Sequence, residues 1–327
     1  MHKDFSILPK KILYWYDNNK RDLPWRVKCS QSKKEYYTLV SEFMLQQTQV
    51  KTVIPYFKNF VTNFPNLQSL STARENKLIK NWEGLGYYSR VKNLKKTSKI
   101  IVNDHYKKLP DTLDELKKLP GIGEYTSRAI LAIAFNKPFI PLDGNIERII
   151  KRLLYLKSEI EVGKANIIKK KKLLGTSNRS SDYAQALMEL GALICKPKNP
   201  KCDFCPIIQN CKSYKKKDFE ITVKNRKKNE KFFVVKIFFK KNKILLMKNN
   251  KFNFLKNLKI FPMQEISKPK NLKKILNFKM SNMNMNIIIK IMKKPNKIEN
   301  SVWVEKKNFN NYTLPTFTKK IFYSLNK

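Results

Sequence analysis

LPGIGEYTSRAILAIAFNKPFIPLD, residues 119–143, is the stretch whose reading decides the fold. Gly121 and Gly123 flank a single aliphatic residue, Ile122, which suits a tight hairpin whose backbone takes positive φ or approaches another backbone closely. A helix is expected to follow over about 124–135. If the glycines lie at its amino end, their free N–H groups form an anion site suited to DNA phosphate. Taken by itself, a Gly-x-Gly pair is more often an ordinary turn. Beyond it, Ile146, Ile149, Ile150, Leu153 and Leu154 repeat at core-packing spacing and predict a helix over 145–156. Asp143 sits where that helix needs an N-cap. A carboxylate at a helix amino end is expected to stay ionised and can face a developing cation.

Upstream, residues 9–16 read as a short helix, followed by the loop Arg21-Asp22-Leu23-Pro24-Trp25-Arg26. Residues 34–46 are helical, with Tyr36, Val40, Phe43 and Met44 on one face. Glu42 lies inside the nearly apolar run LVSEFML. A helical Glu usually points to water. Burial here would raise its pKa and make it a proton donor near neutral pH. Gln46-Gln47-Thr48 ends the helix with three uncharged hydrogen-bonding side chains that could read base edges or wedge into a stack.

Residues 50–64 continue as an amphipathic segment that Pro55 kinks or splits. Thr72 with Glu75 reads as a capping box that opens another helix. The loop Trp82-Glu83-Gly84-Leu85-Gly86-Tyr87-Tyr88-Ser89-Arg90 displays Leu85 and two tyrosines. It is either a wedge for duplex DNA or a packed turn. Helices over 88–103 and 112–119, the latter capped by Thr112 with Glu115, and a further one over 182–195 complete the set.

Four of the five cysteines, Cys195, Cys202, Cys205 and Cys211, fall within a short segment with six, two and five residues between them. In a reducing compartment this argues for a metal site over disulfides. Cys₄ chemistry alone leaves Zn²⁺ and an iron–sulfur cluster open. Cys29 stands apart as a packed or partly exposed thiol. The formal net charge of +44 over 327 residues points to a polyanionic partner, although heavy use of Lys, Asn and Ile is also what AT-rich codons supply. No apolar run reaches the length of a membrane span and residues 1–11 hold no signal-type segment, so the chain is expected to be cytoplasmic and nucleoid-associated.

The order helix, Leu-Pro-Gly-Ile-Gly, helix, Leu142-Asp143-Gly144 resembles the endonuclease III superfamily of helix-hairpin-helix DNA glycosylases. The motifs Leu23-Pro24-Trp25, SEFMLQQTQV (41–50), Val53-Ile54-Pro55-Tyr56-Phe57 and Gly84-Leu85-Gly86-Tyr87-Tyr88 are similar to those of its adenine DNA glycosylase (MutY) family. The resemblance covers about 5–214. It implies a mainly α, two-lobed helix-hairpin-helix glycosylase fold and a [4Fe-4S] cluster on the four cysteines, structural and DNA-positioning in role. The implied reaction is hydrolysis of the N-glycosidic bond of adenine mispaired with 8-oxoguanine or guanine in double-stranded DNA, by a monomer. Glu42 would protonate the adenine, and Asp143, with Tyr125, would stabilise the sugar cation. Gln47, Thr48, Leu85, Tyr87, Gly121, Gly123, Gln185 and Lys198 would touch DNA. Backbone-cutting relatives carry a Schiff-base lysine where this chain has Tyr125, and Lys117 and Lys118 are out of register, so a monofunctional enzyme is expected. The rival readings are a bifunctional glycosylase/lyase acting on oxidised pyrimidines and a non-catalytic DNA-binding relic of the fold.

The expected organisation is a catalytic domain over 1–217, a basic linker over 218–231 and a small α+β domain over 232–327. Apolar runs at 232–239 and 243–247 read as a hairpin, those at 286–292 and 301–304 as strands, and 316–325 as a helix. The position resembles a MutT-like (Nudix-like) lesion-recognition domain, here degenerate. Phe261-Pro262 survives without a preceding Trp-Gly-Gly segment, Met280-Ser281-Asn282 stands in place of Phe-Ser-His so that Ser281 alone remains of the guanine-sensing loop as a DNA contact, and a box of acidic hydrolase residues is absent from the sequence.

Overall fold

The computed structural model describes residues 5–220, 229–269, 275–279, 283–295 and 298–325. The expectations for most of the 218–231 linker and for Met280-Ser281-Asn282, Ser281 included, fall outside these residues. The helices, in chain order, are α1 (Leu8–Asn19), α2 (Gln31–Leu45), α3 (Val50–Asn63), α4 (Leu67–Thr72), α5 (Glu75–Asn81), α6 (Ser89–Asp104), α7 (Leu113–Lys118), α8 (Glu124–Ile133), α9 (Gly144–Leu154), α10 (Lys164–Lys170), α11 (Ser180–Leu193), α12 (Lys212–Lys215) and α13 (Thr316–Ser324). The strands are β1 (Asn229–Lys240), β2 (Lys243–Lys248), β3 (Lys259–Ile260), β4 (Met263–Ile266), β5 (Leu276–Lys279), β6 (Met283–Met292) and β7 (Ser301–Glu305). Among the described residues, no helix is long and apolar enough to cross a membrane. The chain divides into two compact units, 1–74 with 89–224, and 75–88 with 225–327.

The first unit is all helical. Ile12 of α1, Ile146, Ile149, Ile150 and Leu153 of α9, and Leu187 and Leu190 of α11 share one core, against which Cys195, Cys205 and Cys211 pack. α2 packs on α3, α6 and α8, and every residue from Thr38 to Met44 is buried. A helix apolar nearly all round belongs inside a protein, which is why Glu42 travels inward with its neighbours. α3 runs unbroken through Pro55. Thr72 does not open a helix as expected: it closes α4, its hydroxyl donating to the carbonyl of Gln68 at 3.1 Å. The reciprocal capping box lies upstream, between Asn66 and Ser69. At α7 the cap is as expected, with the Glu115 N–H donating to Thr112 Oγ1.

The second unit is α+β. β1 and β2 form the expected hairpin, pairing Phe239 with Ile244, and Lys241 supplies a left-handed turn residue at φ 51°. β1 also pairs in parallel with β6 from Asn229↔Met283 to Phe238↔Met292, and antiparallel with β4. β7 and β3 flank β2, and β5 flanks β6. Its core gathers Phe233, Val235, Phe261, Phe309, Phe317, Ile321 and Phe322, so Phe261 of the Phe-Pro pair is a core ring, stacked at 6.1 Å on Phe309.

Candidate active site

Three elements of the helical unit bring one titratable side chain each to a common place. α2 carries Glu42, α8 opens with Tyr125 in its first turn, and Asp143 caps α9. The Tyr125 hydroxyl is hydrogen-bonded to the Glu42 carboxyl, and the charge of Asp143 is felt at Glu42. Burial, reinforced by the Asp143 charge, pushes the Glu42 pKa up to about 7, against the pull of the Tyr125 hydrogen bond and the positive charge of Arg26. Burial likewise pushes the Tyr125 hydroxyl well above its ordinary value, so it remains a neutral donor.

Asp143 is held by its cap geometry: Oδ1 accepts from Ile146 N–H at 2.7 Å and Oδ2 from Asn145 Nδ2 at 2.8 Å. The helix amino end supplies donors that favour its ionised form, against the desolvation that comes with burial. Burial outweighs the backbone and Asn145 hydrogen bonds, and its pKa is raised. The two carboxyls nonetheless part company. Asp143 has the capping donors that favour an anion, whereas Glu42 is buried beside that anion and keeps its proton.

Residues behind these groups hold them in place, and most of them carry no local sequence signal. Gly191 of α11 lies against the start of α9: a Cβ there would stand 2.5 Å from Asn145 Cβ. Arg148 ties the same corner together, donating to Asn145 Oδ1 at 2.9 Å, to Gly191 O at 2.7 Å and to Cys195 O at 2.7 Å. On the other side of Glu42, the loop of Arg21 and Arg26 is pinned to α11 through buried Glu189. Arg21 donates to Glu189 through two nitrogens, each at 2.8 Å, and Arg26 at 3.0 Å. Arg90 Nη1 donates to the carbonyls of Phe43, Met44 and Gln46 at 3.1, 2.7 and 2.6 Å, placing a cation on the carboxyl end of α2.

That capped end leads into Gln47, exposed and held at φ 58°, and Thr48, whose hydroxyl donates back to Gln46 O at 3.4 Å. The Gln46 amide donates to Gly121 O at 3.2 Å and to Thr126 Oγ1 at 3.3 Å, so the turn after α2 and the Gly-x-Gly hairpin form one surface. Gly121 has φ 84°, and a Cβ would stand 2.8 Å from Phe43 and 2.9 Å from Asn93. Gly123 is the exposed N-cap of α8, with open space where a Cβ would go.

The four clustered cysteines line one cavity of about 320 Å³, its open mouth included, with Arg152, Ile194, Pro200, Ile208, Tyr214 and Phe219. Among the described residues, no three His, Cys, Asp or Glu converge closely enough for a single metal ion. Burial pushes the thiols of Cys202, Cys205 and Cys211 up, so thiolates here require cationic partners. Arg152 is one, Nη1 donating to Cys195 Sγ at 3.5 Å.

Residues 40–172 match the model of the HhH-GPD superfamily of base excision DNA repair proteins. The adenine DNA glycosylase of Buchnera aphidicola subsp. Schizaphis graminum is 36% identical over 96% of this chain and 97% of its own length. The chain belongs to the adenine DNA glycosylase family. Among solved structures, a thermostable thymine-DNA glycosylase superposes with TM-score 0.57 at 26% identity, covering 65% of this chain and 98% of that one. An endonuclease III trapped in a covalent intermediate with DNA follows at TM-score 0.52 and 20% identity, covering 64% and 95%, a likeness of fold alone.

For a member of the adenine DNA glycosylase family, the structure places the remaining expected contact residues unevenly. Lys198 is exposed on the loop between the first two cysteines. Gln185 is buried in α11, its amide nitrogen donating back to Ser181 O at 3.1 Å. Leu85, expected on display, is 6% exposed, because the turn of Trp82 to Gly86 folds inward around the Trp82 Nε1 to Gly86 O hydrogen bond of 3.1 Å. Tyr87 is partly exposed at φ 49°. Leu85 and Tyr87 belong to the second unit. Arg90 and Gly191 were missed because their partners lie far away in sequence. Glu189 carried one faint signal, a single acid in an otherwise apolar helix face.

Proposed function

We propose that this chain is a monofunctional DNA glycosylase that hydrolyses the N-glycosidic bond of adenine opposite 8-oxoguanine or guanine. The observation that carries the proposal is the pairing of a buried carboxylic acid, Glu42, with a capped carboxylate, Asp143, around the Tyr125 hydroxyl. Glycosidic cleavage requires an acid for the leaving group and an anion for the sugar cation.

The target nucleotide leaves the stack at a cost of a few kcal/mol, offset by side chains that fill its place. Gln47, Thr48, Leu85 and Tyr87 are the proposed wedge and opposite-base contacts. Gly121 and Gly123 are the proposed phosphate grip, and Lys198 and Gln185 are further contacts. Glu42 passes its proton to the adenine ring, and the C1′–N bond breaks with its electron pair leaving on the neutral base. The oxocarbenium-like sugar faces Asp143, with Tyr125 beside it. Water adds to C1′ and gives its proton to the Glu42 carboxylate, leaving an abasic site and restoring the acid. Because Tyr125 stands where a Schiff base would need an amine, the backbone is left whole.

Cys195, Cys202, Cys205 and Cys211 fit a [4Fe-4S] cluster. Four thiols share one cavity, and an all-sulfur donor set is the ligand chemistry of such a cluster. When bound, the cluster would cross-link the loop between Cys195 and Cys202 and so hold the positive charge of Lys198 in place. Seen this way, residues 1–217 form the catalytic domain and 232–327 a lesion-recognition domain of MutT-like type.

The test uses purified protein and labelled duplexes carrying A opposite 8-oxoguanine, or an oxidised pyrimidine opposite G, each analysed with and without alkali. Breaks at adenine only after alkali support the proposal, and Glu42→Gln should abolish them while DNA binding persists. Alkali-independent breaks at the pyrimidine would replace it with a bifunctional lyase assignment.

A further inference from the structure

The segment 75–88 belongs to the α+β unit, and Glu83 ties it to distant parts of that unit. Glu83, just past α5, is only 11% exposed at its side chain. Its Oε1 accepts from Leu314 N–H at 3.0 Å and from Lys319 Nζ of α13 at 2.9 Å. Its Oε2 pairs with Lys80 at 3.0 Å, and Lys80 in turn donates to Asn310 O at 2.9 Å. Burial alone would raise the Glu83 pKa, but the Leu314 N–H and the two lysines hold it below the ordinary range.

The loop that follows needs such an anchor. Gly84 has φ 107°, Gly86 φ 72° and Tyr87 φ 49°, three left-handed residues within four positions. Glycine takes such angles freely, but Tyr87 holds a bulky side chain in the left-handed region, a conformation that persists only where its surroundings over-determine it. Trp82, fully buried, closes the loop on itself through Gly86 O. Glu83 then ties the base of the loop to Leu314 and α13. Both partners lie more than 200 residues away in sequence, as the separation of 231 for Leu314 shows.

We propose that Glu83 is a positioning residue for base excision: through it, the α+β unit preorganises the Gly84–Tyr88 loop, at every mispair alike. The α+β unit thus serves the reaction in a way that is separate from reading the opposite base. The proposal rests on the reading that Leu85 and Tyr87 meet DNA.

The experiment compares full-length wild type with Glu83→Ala, Glu83→Gln and Lys319→Ala, and with Glu265→Gln as control. Glu265 pairs with Lys231 on the exposed face of the same unit at 2.8 Å. Single-turnover adenine release is measured under saturating enzyme for A opposite 8-oxoguanine and A opposite G. Affinity for undamaged duplex and thermal melting are followed alongside. Glu83→Ala should slow release about tenfold on both mispairs, with affinity for undamaged duplex within about twofold. Glu83→Gln, which still accepts from Leu314 N–H, should recover much of the rate. Lys319→Ala should lose part of it even if Glu83→Ala fails to fold, and Glu265→Gln should match wild type. A lowered melting temperature with wild-type release would overturn the proposal, as would a loss confined to the 8-oxoguanine mispair. Leu85→Ala and Tyr87→Ala, run in parallel, separate the two levels: if they too release adenine normally, the loop reading itself is wrong.

Discussion

Glu42 holds a proton at a pH where an ordinary glutamic acid has lost it, and this has two measurable consequences. The first concerns rate. The acid form persists up to about pH 7, so single-turnover release should decline as pH rises through that value. At the acid end it should decline again as Asp143, itself raised above the usual range by burial, becomes protonated and can no longer face a cation. A pH–rate profile with two limbs checks this, and Glu42→Gln should lower the rate by several orders of magnitude across the profile. The second concerns stability. A folded-state pKa raised from 4.5 to about 7 leaves the fold unpenalised at acid pH and progressively penalised as pH climbs towards and through 7. The full penalty is on the order of 3 kcal/mol. Glu42→Gln should therefore stabilise the protein at pH 8.5 relative to wild type and gain little at pH 4.5, as read by urea melts. A gain that shrinks with rising pH would mean that Glu42 is already ionised. The inward course of Glu42 was legible because LVSEFML has no polar face to offer it. The raised pKa of Asp143 was not: the cap is local sequence, but the burial comes from tertiary packing.

At the scale of elements, the hairpin and the two helices it meets were legible for the same local reasons: glycine where backbone must turn, an N-cap residue at Asp143, apolar residues at helical spacing. The two glycines nonetheless do different work. Gly121 combines φ 84° with a space already filled by Phe43 and Asn93, so Gly121→Ala should destabilise the fold by roughly 1–3 kcal/mol and displace the hairpin from Gln46. Gly123, at φ −99° with open space ahead of it, should lose only about 0.5–1 kcal/mol on change to alanine, the cost of a poorer N-cap. Urea unfolding of the two variants tests the contrast, and equal losses would contradict it. Thr72 shows where local reading fails. The pattern Thr-x-x-Glu fits a helix start, yet α4 arrives from Asn66 and uses Thr72 as its last residue. Arg90 shows another limit. It caps α2 from across a sequence gap of 44 to 47 residues, and no local pattern announces it.

At the scale of the molecule, the texture change after the cysteines was legible as a second, α+β unit, but its wiring was not. The parallel pairing of β1 with β6 and the membership of residues 75–88 both depend on partners far away in sequence. The composition of that unit bears on specificity. Its core is complete: Phe233, Phe261, Phe309 and Phe322 are buried, and Phe309 stacks on Phe322 at 3.7 Å. Phe261 is therefore retained for packing and is no sign of lesion recognition. Of the motifs that the resemblance to a lesion-recognition domain would imply, Trp-Gly-Gly is replaced by residues 253–259, and Phe-Ser-His by Met280-Ser281-Asn282, which keeps only the serine. A unit that keeps its core and loses its polar readers should still fold and still preorganise the 84–88 loop, while reading the oxidised guanine poorly. A site without donors placed for a lesion gives up the discrimination that unpaired polar groups would impose. Single-turnover rates for A opposite 8-oxoguanine and A opposite G should then agree within about threefold, since a difference of one well-made hydrogen bond would already exceed that. A preference of a hundredfold for 8-oxoguanine would show that other side chains of this unit have taken over the reading. In that case, alanine substitutions at the exposed residues of β5 and β6, such as Asn277, Lys279 and Ile291, would locate them.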